Sequence, residues 1–98
     1  MDKEQAIAIV REYKKAVLAI YKDAEVYLYG SYNKGTATKD SDIDVAVIVP
    51  HRTGNWFEEI PPLWKASRQI NSLIEPVLME YNEPSPLYEN VIRTGTKC

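Results

Sequence analysis

Cysteine and histidine each occur only once in this chain of 98 residues, and neither sign of charge is in clear excess. The lone cysteine, Cys98, has no partner for an internal disulfide, which excludes a disulfide-stapled scaffold and leads one to expect a reducing compartment, the cytoplasm. The lone histidine, His51, has no second imidazole with which to share a metal and follows Pro50 in a loop, where solvent exposure is expected. No apolar run approaches the roughly 20 residues that span a bilayer, and Asp2 and Glu4 stand where a secretory signal would be basic and then apolar. The expectation is a soluble, unprocessed protein with no membrane partner. Lys and Arg number 12 against 14 Asp and Glu, a net charge of -2, so there is no broad basic field and direct nucleic-acid binding is not expected. Any phosphate chemistry must be local. A chain of this length holds one modest core, so residues 1–98 are read as a single domain.

What is present is a clear alternation of patterns, with no repeat or low-complexity tract. Met1 to Lys22 place Ala6, Val10, Tyr13, Val17 and Ile20 at steps of four and three with charges opposite, the signature of a one-sided amphipathic helix. Asp2 followed by Gln5 reads as its capping box. The β-branched and aromatic run EVYLY, Glu25 to Tyr29, reads as a strand ending at Gly30, and DIDVAVIV, Asp42 to Val49, as a second strand closed by Pro50. Between them lies a loop with Gly30, Gly35 and several threonines. After a loop over Pro50 to Asn55, the positions of Leu63, Ser67, Ile70 and Ile74 suit a helix beginning beside Pro61 and Pro62. IEPVLM, Ile74 to Met79, reads as a third strand, and Pro76, without an amide hydrogen, places it at an edge or a bulge. Ser85 to Gly95 reads as a short helix with serine before proline at its start and glycine at its stop. The order helix, strand, strand, helix, strand, helix predicts an α/β (α+β) fold: a small mixed β-sheet with helices packed on one face.

The charge concentrates at one point of this scheme. Side chains two apart on a strand share a face, so Asp42 and Asp44 point one way and Ile43, Val45, Val47 and Val49 the other. Two carboxylates about 7 Å apart repel unless a cation sits between them. Oxygen donors with no accompanying histidine or cysteine favour Mg²⁺ or Mn²⁺, and magnesium takes its remaining ligands from water and substrate phosphates. Alone, Asp-x-Asp is a weak signal, since aspartate is common in turns, the role assigned here to Asp40. Gly30 and Ser31 add weight: the glycine lets backbone approach a ligand closely, and the Ser31 hydroxyl and the amides after it can hold phosphate oxygens. Lys34 and Lys39 add local positive charge. Gly30, Gly35 and Thr36 imitate the start of a P-loop, but the lysine due after Gly35 is missing and a strand follows where a helix should.

Tyr29, Gly30, Ser31, ten further residues, then Asp42, Ile43, Asp44 and Val45 resemble the signature of the minimal nucleotidyltransferases of the DNA polymerase β-like superfamily, with no departure in type or spacing. The resemblance runs from the first helix to the third strand. It implies the polymerase β-like fold and transfer of a nucleoside monophosphate, AMP from ATP, to an acceptor hydroxyl. It assigns triphosphate binding to Gly30 and Ser31, with Lys34 beside them, and metal binding to Asp42 and Asp44, with two Mg²⁺ ions about 4 Å apart acting on the attacking and leaving oxygens. It also implies a third carboxylate on the neighbouring strand, for which Glu75 is the choice and Glu80 the fallback. Minimal members resemble the antitoxin halves of toxin-antitoxin modules, whose partner is a small helical protein of the HEPN type, and some transfer AMP onto a partner tyrosine.

The sequence leaves the acceptor open. If Asp42, Asp44, Ala46 and Ile48 share a face with Glu75, Val77 and Met79, that face is apolar below its charged rim, and the C-terminal helix, a docked partner or a second copy in a homodimer covers it. Trp56, Phe57 and Trp64 are expected to pack the second helix onto the sheet. Three functions therefore compete: a nucleotidyltransferase acting on a protein, a non-catalytic antitoxin or binding module, and a small-molecule nucleotidyltransferase of the aminoglycoside-modifying kind.

Overall fold

In the computed structural model, which describes residues 1–98, the first amphipathic stripe forms α1, Lys3–Ile20. Its start is the expected capping box: the Asp2 carboxylate accepts from the Gln5 amide at 2.8 Å, and the Asp2 amide donates to the Gln5 side chain at 2.9 Å. Ala6, Val10, Tyr13 and Val17 are fully buried, while Ile20, at the end of the stripe, is exposed.

Four strands make one sheet: β1 Glu25–Tyr29, β2 Ile43–Val49, β3 Ile74–Glu80 and β4 Thr96–Lys97, in spatial order β3-β2-β1-β4. β2 runs antiparallel to β1 and parallel to β3, and β1 is antiparallel to β4, so the sheet is mixed as expected. The parallel pair needs a crossover, supplied by α3, Trp56–Ile70. β3 is an edge strand, where Pro76 can sit without removing a ladder hydrogen bond. β4 was not anticipated; two residues are too few to carry a period.

β2 is central and buried on both sides, every residue from Val45 to Val49 included. One side of it, Ile43, Val45, Val47 and Val49, joins Val26, Leu28, Ile74 and Leu78 beneath α1 and α3. The other side, Ala46 and Ile48, joins Met79 beneath Tyr88 and Val91 of α4, Pro86–Thr94. Two helices thus occupy one face as expected, and the C-terminal helix occupies the second. Of the three candidate covers for that face, the C-terminal helix is the one in place. α4 starts where serine and proline place it, with the Ser85 hydroxyl accepting from the Tyr88 amide at 3.1 Å.

α3 departs most from its sequence reading. It begins at Trp56, and Pro61 and Pro62 lie inside it. Each proline deletes an amide that would bond one turn back. The preceding turn keeps its own first bonds, the Asn55 carbonyl accepting from the amides of Glu58 and Glu59, and is held from outside by the Tyr21 hydroxyl, which donates to the Glu59 carbonyl at 3.2 Å. Because the helix starts early, Trp56 and Phe57 fall on its outer side, 57% and 82% exposed, edge-to-face with each other and not against the sheet. Trp64 is half-buried beneath the Arg68 guanidinium, 4.8 Å from the ring centre.

Candidate active site

β1 is followed by a residue that must be glycine. Gly30 has φ +77°, a left-handed value that side chains resist, and any Cβ built there would fall inside the Asp44 carboxylate. The chain then makes one helical turn, α2, Ser31–Lys34, closed by Gly35. This turn lies within the segment read as loop; four residues are too short to carry a helical period. The Lys34 amide donates to the Gly30 carbonyl at 3.0 Å. Tyr32 is buried in the main core and its hydroxyl donates to the Thr38 carbonyl at 3.3 Å, so the turn is anchored from inside.

Asp42 is delivered by a second small device. The Ser41 hydroxyl accepts from the Thr38 amide at 2.8 Å, and the Ser41 amide returns a bond to the Thr38 carbonyl at 3.1 Å. Asp40 lies exposed within this turn, as expected of it. Asp42 follows, one residue ahead of β2, and the Ile43 amide enters the sheet by donating to the Leu73 carbonyl at 2.8 Å.

The ladder registers do the rest. Tyr29 on β1 lies opposite Asp44 on β2, and Asp44 lies opposite Glu75 on β3, one row across three strands about 4.8 Å apart. Asp42 extends the row's acidic end, close enough for its charge to act on Glu75. Glu80 lies opposite Val49 at the other end of the strands, and its carboxylate accepts from the Arg52 amide at 2.8 Å; it takes no part in the row. Lys34 is exposed at the end of α2, and Lys39 is exposed in the following loop.

The electrostatics follow from this crowding. Partial burial, then the Asp42 charge, raises the Asp44 carboxyl above its ordinary value. Glu75 is largely exposed on its edge strand, yet it too is raised. What burial it has, the charge of Asp42, a hydrogen bond shared with it and the charge of Asp44 together outweigh the opposing Arg68. Tyr29 is pushed up to about 12 by burial and by Asp44 and Glu75, so it stays a neutral phenol at physiological pH. The sequence offered Tyr29 only as an apolar residue before the glycine; its place beside the carboxylates comes from the antiparallel register of β1 with β2.

This donor set suits a hard cation. The three carboxylates do not close into a ready-made metal cage. A magnesium site built from one or two carboxylates and completed by water and substrate phosphates requires none. The observation that favours a metal here is the cradle: Asp44 is pressed against a backbone position that has no room for a side chain and so is held beside the Gly30 turn. Replacing Gly30 with alanine therefore strains the backbone and displaces Asp44 together. The expected result is loss of transfer by about a hundredfold or more, with a folded far-UV circular dichroism spectrum retained.

Comparison with known proteins points the same way. A family model described as Nucleotidyltransferase domain matches residues 10–89, a span containing Gly30, Asp42, Asp44 and Glu75. A Methanocaldococcus jannaschii protein named putative protein adenylyltransferase is 32% identical over 95 residues, covering 93% of this chain and 87% of that protein. A crystal structure of a putative nucleotidyltransferase from Sulfolobus solfataricus shares the fold, with a TM-score of 0.71 over 97% of this chain and 80% of that one, at 18% identity.

Proposed function

Because this chain belongs to the nucleotidyltransferase family, we propose that it moves AMP from ATP to a hydroxyl group on a protein. The observation that carries the reading is the acidic row. Asp44 and Glu75 stand side by side on adjacent strands, Asp42 adds its charge at the acidic end, and the Gly30 turn abuts Asp44. Support for a protein acceptor comes from the name of the Methanocaldococcus jannaschii relative.

In this reading Asp42 and Asp44 hold Mg²⁺, with Glu75 as the third carboxylate. When bound, magnesium supplies the positive charge that offsets the triphosphate and steadies the attacking and leaving oxygens. The chain's own groups do the remaining work. Ser31 and the backbone after Gly30 hold the triphosphate, and Lys34 adds charge beside it. The acceptor oxygen attacks the α-phosphorus, the bond to pyrophosphate breaks, and the hydroxyl proton passes to a Glu75 carboxylate oxygen. Tyr29 keeps its own proton and borders the row on the other side.

The partner implied by the resemblance to minimal members is a small helical protein of the HEPN type. Incubation with α-labelled ATP, Mg²⁺ and the protein encoded beside this one tests the reading. Label should appear on the partner with the wild-type chain, vanish with EDTA, and fail to appear with Asp42→Asn plus Asp44→Asn. Partner neutralisation that persists in the double variant, with no label in any lane, would overturn it in favour of a binding module. Labelling of an aminoglycoside in place of the partner would move the acceptor to small molecules.

A further inference from the structure

We infer that Asn33 is a positioning residue through which the C-terminal segment, Thr94 to Lys97, holds the Gly30–Gly35 turn in place for nucleotide; the inference rests on the transferase reading above. The side-chain amide of Asn33 donates to the Thr94 carbonyl at 2.8 Å, and its oxygen accepts from the Thr96 hydroxyl. The orientation is fixed by chemistry: a carbonyl can only accept, so the amide nitrogen must face Thr94, which leaves the oxygen for the one group that can donate. Both partners lie more than sixty positions along the chain from Asn33.

The turn needs such a tie. A single helical turn is unfavourable on its own, because many dihedral angles are fixed for few hydrogen bonds. Tyr32 anchors α2 to the core on the inside, and Asn33 is the side chain that ties it on the outside. The segment it is tied to is itself firmly held. Thr96 pairs with Leu28, two residues before Gly30, and the Cys98 amide donates to the Val26 carbonyl at 2.8 Å. The Lys14 ammonium donates to the Cys98 carbonyl at 3.0 Å. Gly95 lets α4 pass into β4 this close to β1: a Cβ there would lie 2.6 Å from the Val91 carbonyl oxygen and 3.3 Å from that of Leu28. The Thr94 carbonyl is moreover one of those that a helix end leaves without a partner, so Asn33 satisfies it while fixing the turn.

The consequence is that β4 belongs to the nucleotide site although it touches none of the acidic row. Loosening Asn33 leaves Asp42, Asp44 and Glu75 in register, because β2 and β3 pair independently of it, and frees Ser31 to wander. Affinity for nucleotide then falls, and the capacity for chemistry once nucleotide is bound does not.

Thr96→Val keeps the shape and deletes the hydroxyl; Thr96→Ser keeps the hydroxyl and deletes the methyl. Calorimetric titration with MgATP should give a Kd raised about tenfold for Thr96→Val and for Asn33→Ala, with Thr96→Ser restored to the wild-type value. Val10→Ala, which opens a cavity beneath α1, serves as a control for stability alone and should lower the melting midpoint at unchanged Kd. The inference is overturned if Thr96→Val binds MgATP like wild type, if Thr96→Ser is as weak as Thr96→Val, or if Val10→Ala weakens binding equally. A wild-type chain that takes up no MgATP overturns the transferase reading and this inference together, whereas wild-type uptake with indifferent variants overturns only the second.

Discussion

Asp44→Asn is expected to slow AMP transfer on the order of a thousandfold and, at the same time, to raise the melting midpoint of the metal-free chain. The two effects have opposite signs because one side chain does two opposed things. In the proposed reaction it offers a negative oxygen to a cation; in the metal-free fold it is a half-buried carboxylate beside a second one, disfavoured by burial and by Asp42. The sign of the pH dependence follows. A carboxyl raised in the folded state is protonated there more readily than in the unfolded chain, so folding is most favoured at acid pH and weakens as pH rises through the raised value. The stabilisation by asparagine should therefore be small near pH 3 and large near pH 7 in EDTA. Thermal melts at the two pH values, alongside label transfer at neutral pH, check this. Loss of stability together with activity would give Asp44 a structural role.

That prediction was available in outline from the sequence, and the reason is physical. Asp42 and Asp44 lie two apart at the head of a strand, and a strand's period of two is rigid, so their common face follows without knowledge of anything distant. Glu75 was legible for a similar reason: it opens β3 as the aspartates open β2, and parallel pairing sets it opposite Asp44. Tyr29 was hidden because its partner comes from antiparallel register with a strand fourteen residues later, fixed by the length of the intervening turn and not by any pattern within β1. Asn33 was hidden more deeply. Nothing near it in the chain marks it, and its partners belong to a two-residue strand that exists only because α4 returns the chain to the edge of β1. The burial of β2 on both faces was written in its uninterrupted apolar run, which asked for cover on a second side, and α4 provides it.

Helix α3 is the instructive failure, because a sound rule gave the wrong boundary. Two adjacent prolines usually mark a helix start, and the Pro61-Pro62 pair was read so. What the rule could not weigh is Glu59, only 2% exposed, whose carboxylate accepts from Arg52 Nη2 at 3.1 Å and from the Thr53 amide at 2.9 Å. These bonds tie the turn before the prolines to the loop that leaves β2, in place of the two backbone bonds the prolines delete. Sequence showed a glutamate on a charged stretch; only the return of the Arg52–Thr53 loop makes it a buried anchor.

Glu59→Ala should accordingly destabilise the fold by about 1–3 kcal/mol, the usual cost of leaving a hydrogen-bonding group without its partner. For a chain of this size that lowers the melting midpoint by at least about 4 °C. Arg52 is partly exposed and can turn to water, so the Thr53 amide is the group left without a partner. The pH dependence runs opposite to that of Asp44. Burial alone would raise Glu59, but the hydrogen bonds from Arg52 and Thr53 and the Arg52 charge outweigh it and hold the carboxyl below its ordinary value of 4.5. A lowered value means the stabilisation is whole above that ordinary value and is lost as pH falls beneath it through the folded one. Wild type minus Glu59→Ala, followed by chemical denaturation from pH 7 down to pH 3, should give a stability difference that is flat at first and shrinks below about pH 4.5. A difference that stays constant to pH 3 would mean that Glu59 acts by filling space and not by its charge. Transfer per folded molecule should be unchanged, because Glu59 is tied to the loop that leaves the far end of β2, away from Asp42 and Asp44. The chain therefore places its one fully buried, hydrogen-bonded carboxylate where it secures a helix, and crowds the more exposed carboxylates of Asp42, Asp44 and Glu75 together at the opposite end of β2.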